Sequence, residues 1–451
     1  MVNLTLYGGV GEIGGNKILI EDDSRRVFLD FGKSYSKEND FFDFPLLQPR
    51  QEKHLVATGV LPNLEGLYKQ DSSSPNIDGI LLSHPHGDHW DYIRFVKDSV
   101  PIGCLDTCKE VIETREKTSH LAPSRDYYVC QLNAKGSQTF KKFETFSTEK
   151  NTNFAGITFE AYEVDHSIPG CVGFIIHTST GNLVYTGDLR FSGTRRDLSL
   201  KFTEAAKASD PIGLIIEGTN IAEGNISSES EVNEKTDNIV QNSTGLVMVG
   251  CASADLDRLQ TLFEVAKRNE RKIAITMKQA FMIDSLRNTG LPIFDPKDQN
   301  VYVFQREKKG LYQYEKLVEK KCSNIITSQD VNGNQDHLLL ILGFYEFNEL
   351  VGVRPKGDSV YILSQSEPFN EEMELQFAKL KNWLGRYGVP LYQVHNSGHA
   401  KPQELRRFIA NVKPKKTILI HTEAPELYKA YISDLNVNPT LPVQGQAITL
   451  E

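Results

Sequence analysis

The run Ser83-His84-Pro85-His86-Gly87-Asp88-His89 places three imidazoles and a carboxylate within six residues. Side chains at that spacing can converge on two neighbouring cations, a recognised signature of metal ligation. His84 and His86 would serve one ion, Asp88 and His89 the other. Farther along, His166 in Val-Asp-His-Ser, Asp188 in Thr-Gly-Asp and His421 in Ile-His-Thr-Glu extend the set. A two-metal centre about 3.5–4 Å across needs a bridging carboxylate and several imidazoles. Asp188 is the expected bridge. It completes one set of His84, His86, His166 and Asp188, and another of Asp88, His89, Asp188 and His421. Water held between such ions is acidified from near 15.7 to about 7, which supplies hydroxide at neutral pH. Imidazoles with some carboxylate suit zinc, with manganese as the alternative.

Each candidate ligand needs an element to carry it. The apolar run Ile80-Leu81-Leu82 reads as a buried strand, so the His-rich stretch is the loop at its C-terminal end. Alternating segments at 157–162, 173–177 and 182–185 read as strands of a second sheet, and His166 and Asp188 follow two of them. His177 falls inside a strand and reads as a packed histidine. Leu391–Val394 and Thr417–Ile420 are further strands, ending in His395–His399 and in His421. Asp30, at the end of strand 26–30, is a candidate to orient a ligating His from behind; strand capping is its bland alternative. The glycine-rich turn Gly8–Asn16 is followed by strands, not by a helix, which argues against a dinucleotide fingerprint. Residues 33–55 read as a long loop or short helices, and 120–153 as a polar excursion or edge hairpins. From about residue 222 strands alternate with helices, the pattern of a parallel sheet covered on both faces.

Composition limits the classes. A chain of 451 residues with 39% hydrophobic and 24% charged residues is soluble and too long for one ordinary core. It shows no secretory leader and no apolar run near the roughly 18 residues a membrane span needs. The six scattered cysteines form neither a CxxC pair nor a disulfide framework, which points to a reducing cytoplasm. A net charge of −9 disfavours wholesale coating of nucleic acid but leaves room for a local channel. Lys413, Lys415 and Lys416 read as solvated before they read as nucleic-acid contacts.

The His-x-His-x-Asp-His stretch, His166, Asp188 and the strand ends resemble the metallo-β-lactamase fold, and His at position 86 favours hydrolysis. Glu217 in Ile-Ile-Glu-Gly-Thr-Asn, the run Ser397-Gly398-His399-Ala400, and His421 resemble the three later motifs of the β-CASP nucleases. Gly8–Asn16, Val60–Asn63, Val164–Pro169, Ser364–Pro368 and Val412–Lys415 resemble the ribonuclease J group. The resemblance implies a metallo-β-lactamase αββα sandwich over 1–221 and 386–451, with a β-CASP domain inserted at 222–385. It implies nucleic acid in the cleft between them. It also implies that His399 meets the scissile phosphate and protonates the leaving oxygen, and that Glu217 orients His399. Asp88 counts as both ligand and catalytic residue. Ser253, Ser364, Ser366, Ser397, Gly398 and His399 are the implied phosphate contacts; Ser253 and Ser364 also read as commonplace loop serines.

The chain departs from the ribonuclease J pattern in four places. Pro85 replaces the usual Gly, and Trp90-Asp91 the usual Ile-Gly. Ala254–Arg258 carries no His, and the usual C-terminal domain is expected to be missing. The resulting expectation is a two-zinc phosphodiesterase acting on RNA, with single-stranded DNA as an alternative and a homo-oligomer left open. A hydrolase of a smaller nucleotide and a metal-stabilised binding subunit are the rival readings.

Overall fold

The computed structural model describes residues 1–43, 46–119, 127, 129–132, 138–224, 227–365 and 371–451. These fall into two compact units. One comprises Met1–Asn133, Ser137–Asn225 and Gly398–Glu451; the other contains Ile226–Ser397.

The first unit holds two seven-stranded sheets. In the first sheet Arg25–Leu29, Gly79–Leu81 and Ile102–Leu105 run parallel side by side. In the second, Gly181–Tyr185, Gly213–Ile216 and Thr417–Leu419 are parallel neighbours. Ile157–Glu163 reaches them through an antiparallel partner, Val172–Thr178, and so points the same way as Gly181–Tyr185. One continuous core joins the sheets. Phe28, Leu81 and Ile102 come from one face, and Phe159, Phe174, Ile215 and Ile418 from the other. Burial on this scale makes near-unbroken apolar strands such as Gly-Leu-Ile-Ile at 213–216 the natural sequence. Helix Asp106–Thr118 packs on the first sheet, and Arg196–Ala208 packs on the second and against Pro402–Val412. The arrangement is an α/β sandwich whose parallel strand ends share one edge in each sheet.

The second unit is a parallel sheet flanked by helices. Its strand order is 325–326, 301–304, 272–276, 338–341, 247–250, 360–363, 391–393. Leu246, Met248, Ala274, Leu340, Tyr361, Leu380 and Leu384 form its core. This unit ends at Ser397, where the sequence reading closed it at 385. The reason is non-local pairing: Leu391, Tyr392 and Gln393 lie in register with Tyr361, Ile362 and Leu363. That strand therefore completes the second unit's sheet and does not return to the first.

Among the described residues from 33 to 57, Tyr35–Asn39 and Glu52–Ala57 form short helices. The excursion expected at 120–153 lies partly outside the described residues. Within them, Phe143–Phe146 joins the first sheet and Asn151–Phe154 the second. All six cysteines are free and buried; Cys104 sits on a strand and Cys108 on the following helix. Among the described residues no helix is long and apolar enough to cross a membrane.

Candidate metal centre

All seven candidate ligands lie in the first unit, just beyond strand ends that its two sheets bring to common edges. The His-rich loop leaves Gly79–Leu81 and closes in the short helix Gly87–Trp90. The residues that distinguish this loop brace it. The Trp90 indole N–H donates to the Pro85 carbonyl at 2.9 Å, and Arg115 donates to the same oxygen at 3.0 Å. The glycine-rich turn approaches from the other side. Gly14 has φ +86°, and a Cβ there would stand 2.7 Å from the Asp88 Cβ. Only glycine combines that dihedral with that approach.

The ligands form two groups. His84, His86 and His166 offer atoms within 4.8 Å of one another, and so do Asp88, His89, Asp188 and His421. Asp188 Oδ2 lies 3.5 Å from His84 Nε2, 3.2 Å from His89 Nε2 and 3.6 Å from His421 Nε2, which puts it between the groups. His421 Nε2 is also 3.2 Å from Asp88 Oδ2.

The rear nitrogens of three imidazoles are tied down so that the hydrogen positions follow. His166 Nδ1 faces the Gly398 carbonyl, which can only accept. His89 Nδ1 lies 2.7 Å from Asp30 Oδ2, again an acceptor. His84 Nδ1 lies 3.0 Å from Ser83 Oγ, whose own hydrogen goes to Asp30 at 2.7 Å. Each ring thus carries a hydrogen on Nδ1 and turns Nε2 inward. His84 Nε2, His89 Nε2 and Asp188 Oδ1 are buried and make no hydrogen bond. Buried acceptors converging without donors are what a cation would satisfy, and the tied Nδ1 atoms are the outer support a metal-bound imidazole needs. The donor set therefore fits divalent metal.

Electrostatics agree with this at His84, His86 and His166. Burial and neighbouring imidazoles push His84 and His166 well below the usual histidine range. Burial likewise holds His86 down to about 3. These rings stay neutral, the form that ligates metal. At Asp188 burial opposes charge, but the surrounding imidazoles of His421, His89 and His399 hold its carboxyl well below the usual range. His89 is the exception: Asp188, Asp88 and Asp30 overcome burial and raise it well above the usual range, so a bound cation would take the place of its Nε2 hydrogen.

Glu217 and His399 occupy an adjoining corner. His399 Nδ1 is 3.5 Å from Glu217 Oε2 and 3.8 Å from Asp188 Oδ2. Burial disfavours its charge, yet Glu217 and Asp188 raise it to about 9. The turn after Gly213–Ile216 holds this corner together. Asn220 donates to the carbonyls of His399 (3.0 Å) and Ala400 (3.4 Å), and the Ala400 amide donates to Glu217 at 3.3 Å.

The expected phosphate contacts fare unevenly. Gly398 offers its carbonyl to His166, and a Cβ there would meet Ser167 Oγ at 2.7 Å. In the second unit, Ser253 is half-buried and lines a cavity of about 340 Å³ with Cys251, Gln279 and Gln365 at the strand ends. Ser364 does not offer a hydroxyl to phosphate. It is 2% exposed, donates to the Val394 carbonyl at 2.7 Å and receives Arg258. Ser397 is half-buried, and Ser366 lies outside the described residues. His177 is away from the centre, bonded to Asn182 at 2.8 Å. Ser83, Tyr185 and Thr219 were missed by the sequence reading. Thr219 alone had a signal, its place in Glu-Gly-Thr-Asn.

Comparison with known proteins places these observations. Residues 58–219 match a β-lactamase superfamily domain. Residues 390–442 match a Zn-dependent metallo-hydrolase RNA specificity domain. Ribonuclease J 2 of Streptococcus pyogenes serotype M3 is 25% identical over 94% of this chain and 70% of its own length. Ribonuclease J2 of Bacillus subtilis is 26% identical, covering 94% and 69%. A crystal structure of a protein of unknown function from Enterococcus faecalis V583 superposes with a TM-score of 0.79 over 99% of both chains. At 19% identity that likeness bears on the fold alone.

Proposed function

We propose that this chain, a ribonuclease J-like protein of the β-CASP type, is a metal-dependent ribonuclease that hydrolyses RNA phosphodiesters. The observation that carries the reading is the orientation of His84, His89 and His166. Each is fixed from behind; Nε2 of His84 and of His89 faces Asp188, and Nε2 of His166 faces His86 Nδ1 at 2.9 Å. We assign two zinc ions, with manganese as the alternative. His84, His86 and His166 would hold one; Asp88, His89 and His421 the other; Asp188 would lie between. Bound there, divalent ions supply Lewis acidity toward a phosphoryl oxygen and acidify water toward a pKa of ~7.

The chain's own groups do the rest. The Asp30 carboxylate and the Gly398 carbonyl keep the ligating rings from turning. His399, charged at neutral pH beside Glu217, donates a proton to the departing oxygen, and Glu217 holds the ring in place. Single-stranded DNA is a second substrate under the same chemistry. Six free, buried thiols support a reducing, cytoplasmic location.

The test is cleavage of end-labelled RNA, bearing either a 5′-phosphate or a 5′-hydroxyl, by the zinc- or manganese-loaded protein. His86→Ala serves as the control. Cleavage by the wild type, abolished by chelation and lowered ~100-fold or more by H86A, is expected. No cleavage of either RNA with either metal would refute the reading.

A further inference from the structure

One hydroxyl stands between the two parts of this centre. Thr219 Oγ1 lies 2.9 Å from His421 Nδ1 and 3.1 Å from His399 Nδ1. A threonine hydroxyl has one hydrogen and two lone pairs, so its oxygen can accept from both of these nitrogens at once. The other side of His421 settles its direction. Its Nε2 faces the carboxylates of Asp88 and Asp188, at 3.2 and 3.6 Å. A ring that ligates through Nε2 keeps its hydrogen on Nδ1. His421 then donates to one lone pair of Thr219 Oγ1, and the second lone pair faces the Nδ1 hydrogen of His399.

We propose that Thr219 is a positioning residue whose hydroxyl couples metal ligation at His421 to the orientation of His399. This inference rests on the function proposed above. Two features set the role apart from ordinary turn stability. The Thr219 amide already donates to Glu217 Oε2 at 2.9 Å, and that bond survives any side-chain change. The backbone at 399 and 400 is held by Asn220, not by Thr219. What the hydroxyl alone supplies is a link between two rings. Seen from His421, it is the outer partner that His84, His89 and His166 find in Ser83, Asp30 and Gly398. Seen from His399, it holds the ring's orientation before substrate arrives.

The test compares Thr219→Val, which keeps the shape and removes the hydroxyl, with Thr219→Ser, which keeps the hydroxyl. Zinc affinity by chelator competition, the visible spectrum of the cobalt-substituted protein, and kcat and KM on RNA are measured for both. T219V is expected to weaken metal binding and lower kcat, each ~10- to 100-fold, with KM little changed and the cobalt spectrum shifted. T219S is expected to restore wild-type behaviour within ~3-fold. An unchanged spectrum and kcat in T219V would overturn the proposal, as would a T219S protein as impaired as T219V. Should T219V not fold, side-chain nitrogen NMR of the zinc-loaded wild type decides. Hydrogen on Nδ1 of His421 supports the link, and hydrogen on Nε2 sinks it. A wild type that binds metal without cleaving RNA defeats the functional reading while the spectra still judge Thr219. A wild type that binds no metal defeats both.

Discussion

Asp30 Oδ2 lies 2.7 Å from His89 Nδ1, and the same carboxylate gathers three more donors. It accepts the Ser83 amide and hydroxyl at 2.7 Å each and the Tyr185 hydroxyl at 2.6 Å. Asp30 reaches them from a left-handed backbone at φ +59°, a conformation that costs energy in a non-glycine residue. Asn at this position turns an amide N–H₂ toward donors. Asp30→Asn is expected to retain the fold but lower metal affinity ~10- to 100-fold, measured by chelator competition alongside circular dichroism. Unchanged affinity would show that His89 needs no such support.

Gly14 is the point where the glycine-rich turn touches the centre. An added methyl would stand 2.8 Å from Asp88 Oδ2, in a dihedral region unfavourable to alanine. Gly14→Ala is expected to destabilise the protein by about 1–3 kcal/mol and to displace Asp88. Denaturant unfolding and metal titration of the same preparation check it. The Asp88 side of the centre should lose its ion before the His84 side does.

The candidate ligands were legible because chemistry-bearing residue types followed apolar runs, and parallel strands bring their ends together. Asp30 was legible for the same reason. Ser83 and Tyr185 were not, since a hydroxyl behind an imidazole leaves no pattern in spacing. The strand at 391–393 was assigned to the wrong unit because its short apolar stretch gives no hint of its partner, 360–363, across an intervening helix. Ser364 shows the converse. Its motif suggested an exposed donor, but Arg258 and Val394 consume the hydroxyl in the fold.

Arg258 anchors the second unit from within. It is fully buried, with Nη2 2.7 Å from Glu229 Oε1 and Nε 3.2 Å from Oε2. Removing one partner strands a buried charge, which costs about 3–5 kcal/mol. Arg258→Met is expected to raise amide hydrogen exchange across Val247–Gly250 and Val360–Leu363, leaving Gly213–Ile216 in the first unit protected. Uniform loss of protection in both units would contradict this.

Lys17 is buried, bonded to the Gly15 carbonyl at 2.8 Å, and burial drives it down to about 7. Its folded value lies below its unfolded value near 10.5, so between them the unfolded chain binds the extra proton. Stability from this group therefore rises with pH, by at most about 1.4 kcal/mol per pH unit. Urea unfolding at pH 7 and pH 9 should show a larger gain for the wild type than for Lys17→Met. Equal gains would place the titration elsewhere.

The central claim is that His84, His86, His166, Asp88, His89, Asp188 and His421 together hold a pair of metal ions. Anomalous scattering from a crystal of the zinc-loaded protein tests it most directly. The account predicts two peaks about 3.5–4 Å apart, one against His84, His86 and His166, the other against Asp88, His89 and His421, with Asp188 between them. A single peak, or zinc bound away from these side chains, would contradict it.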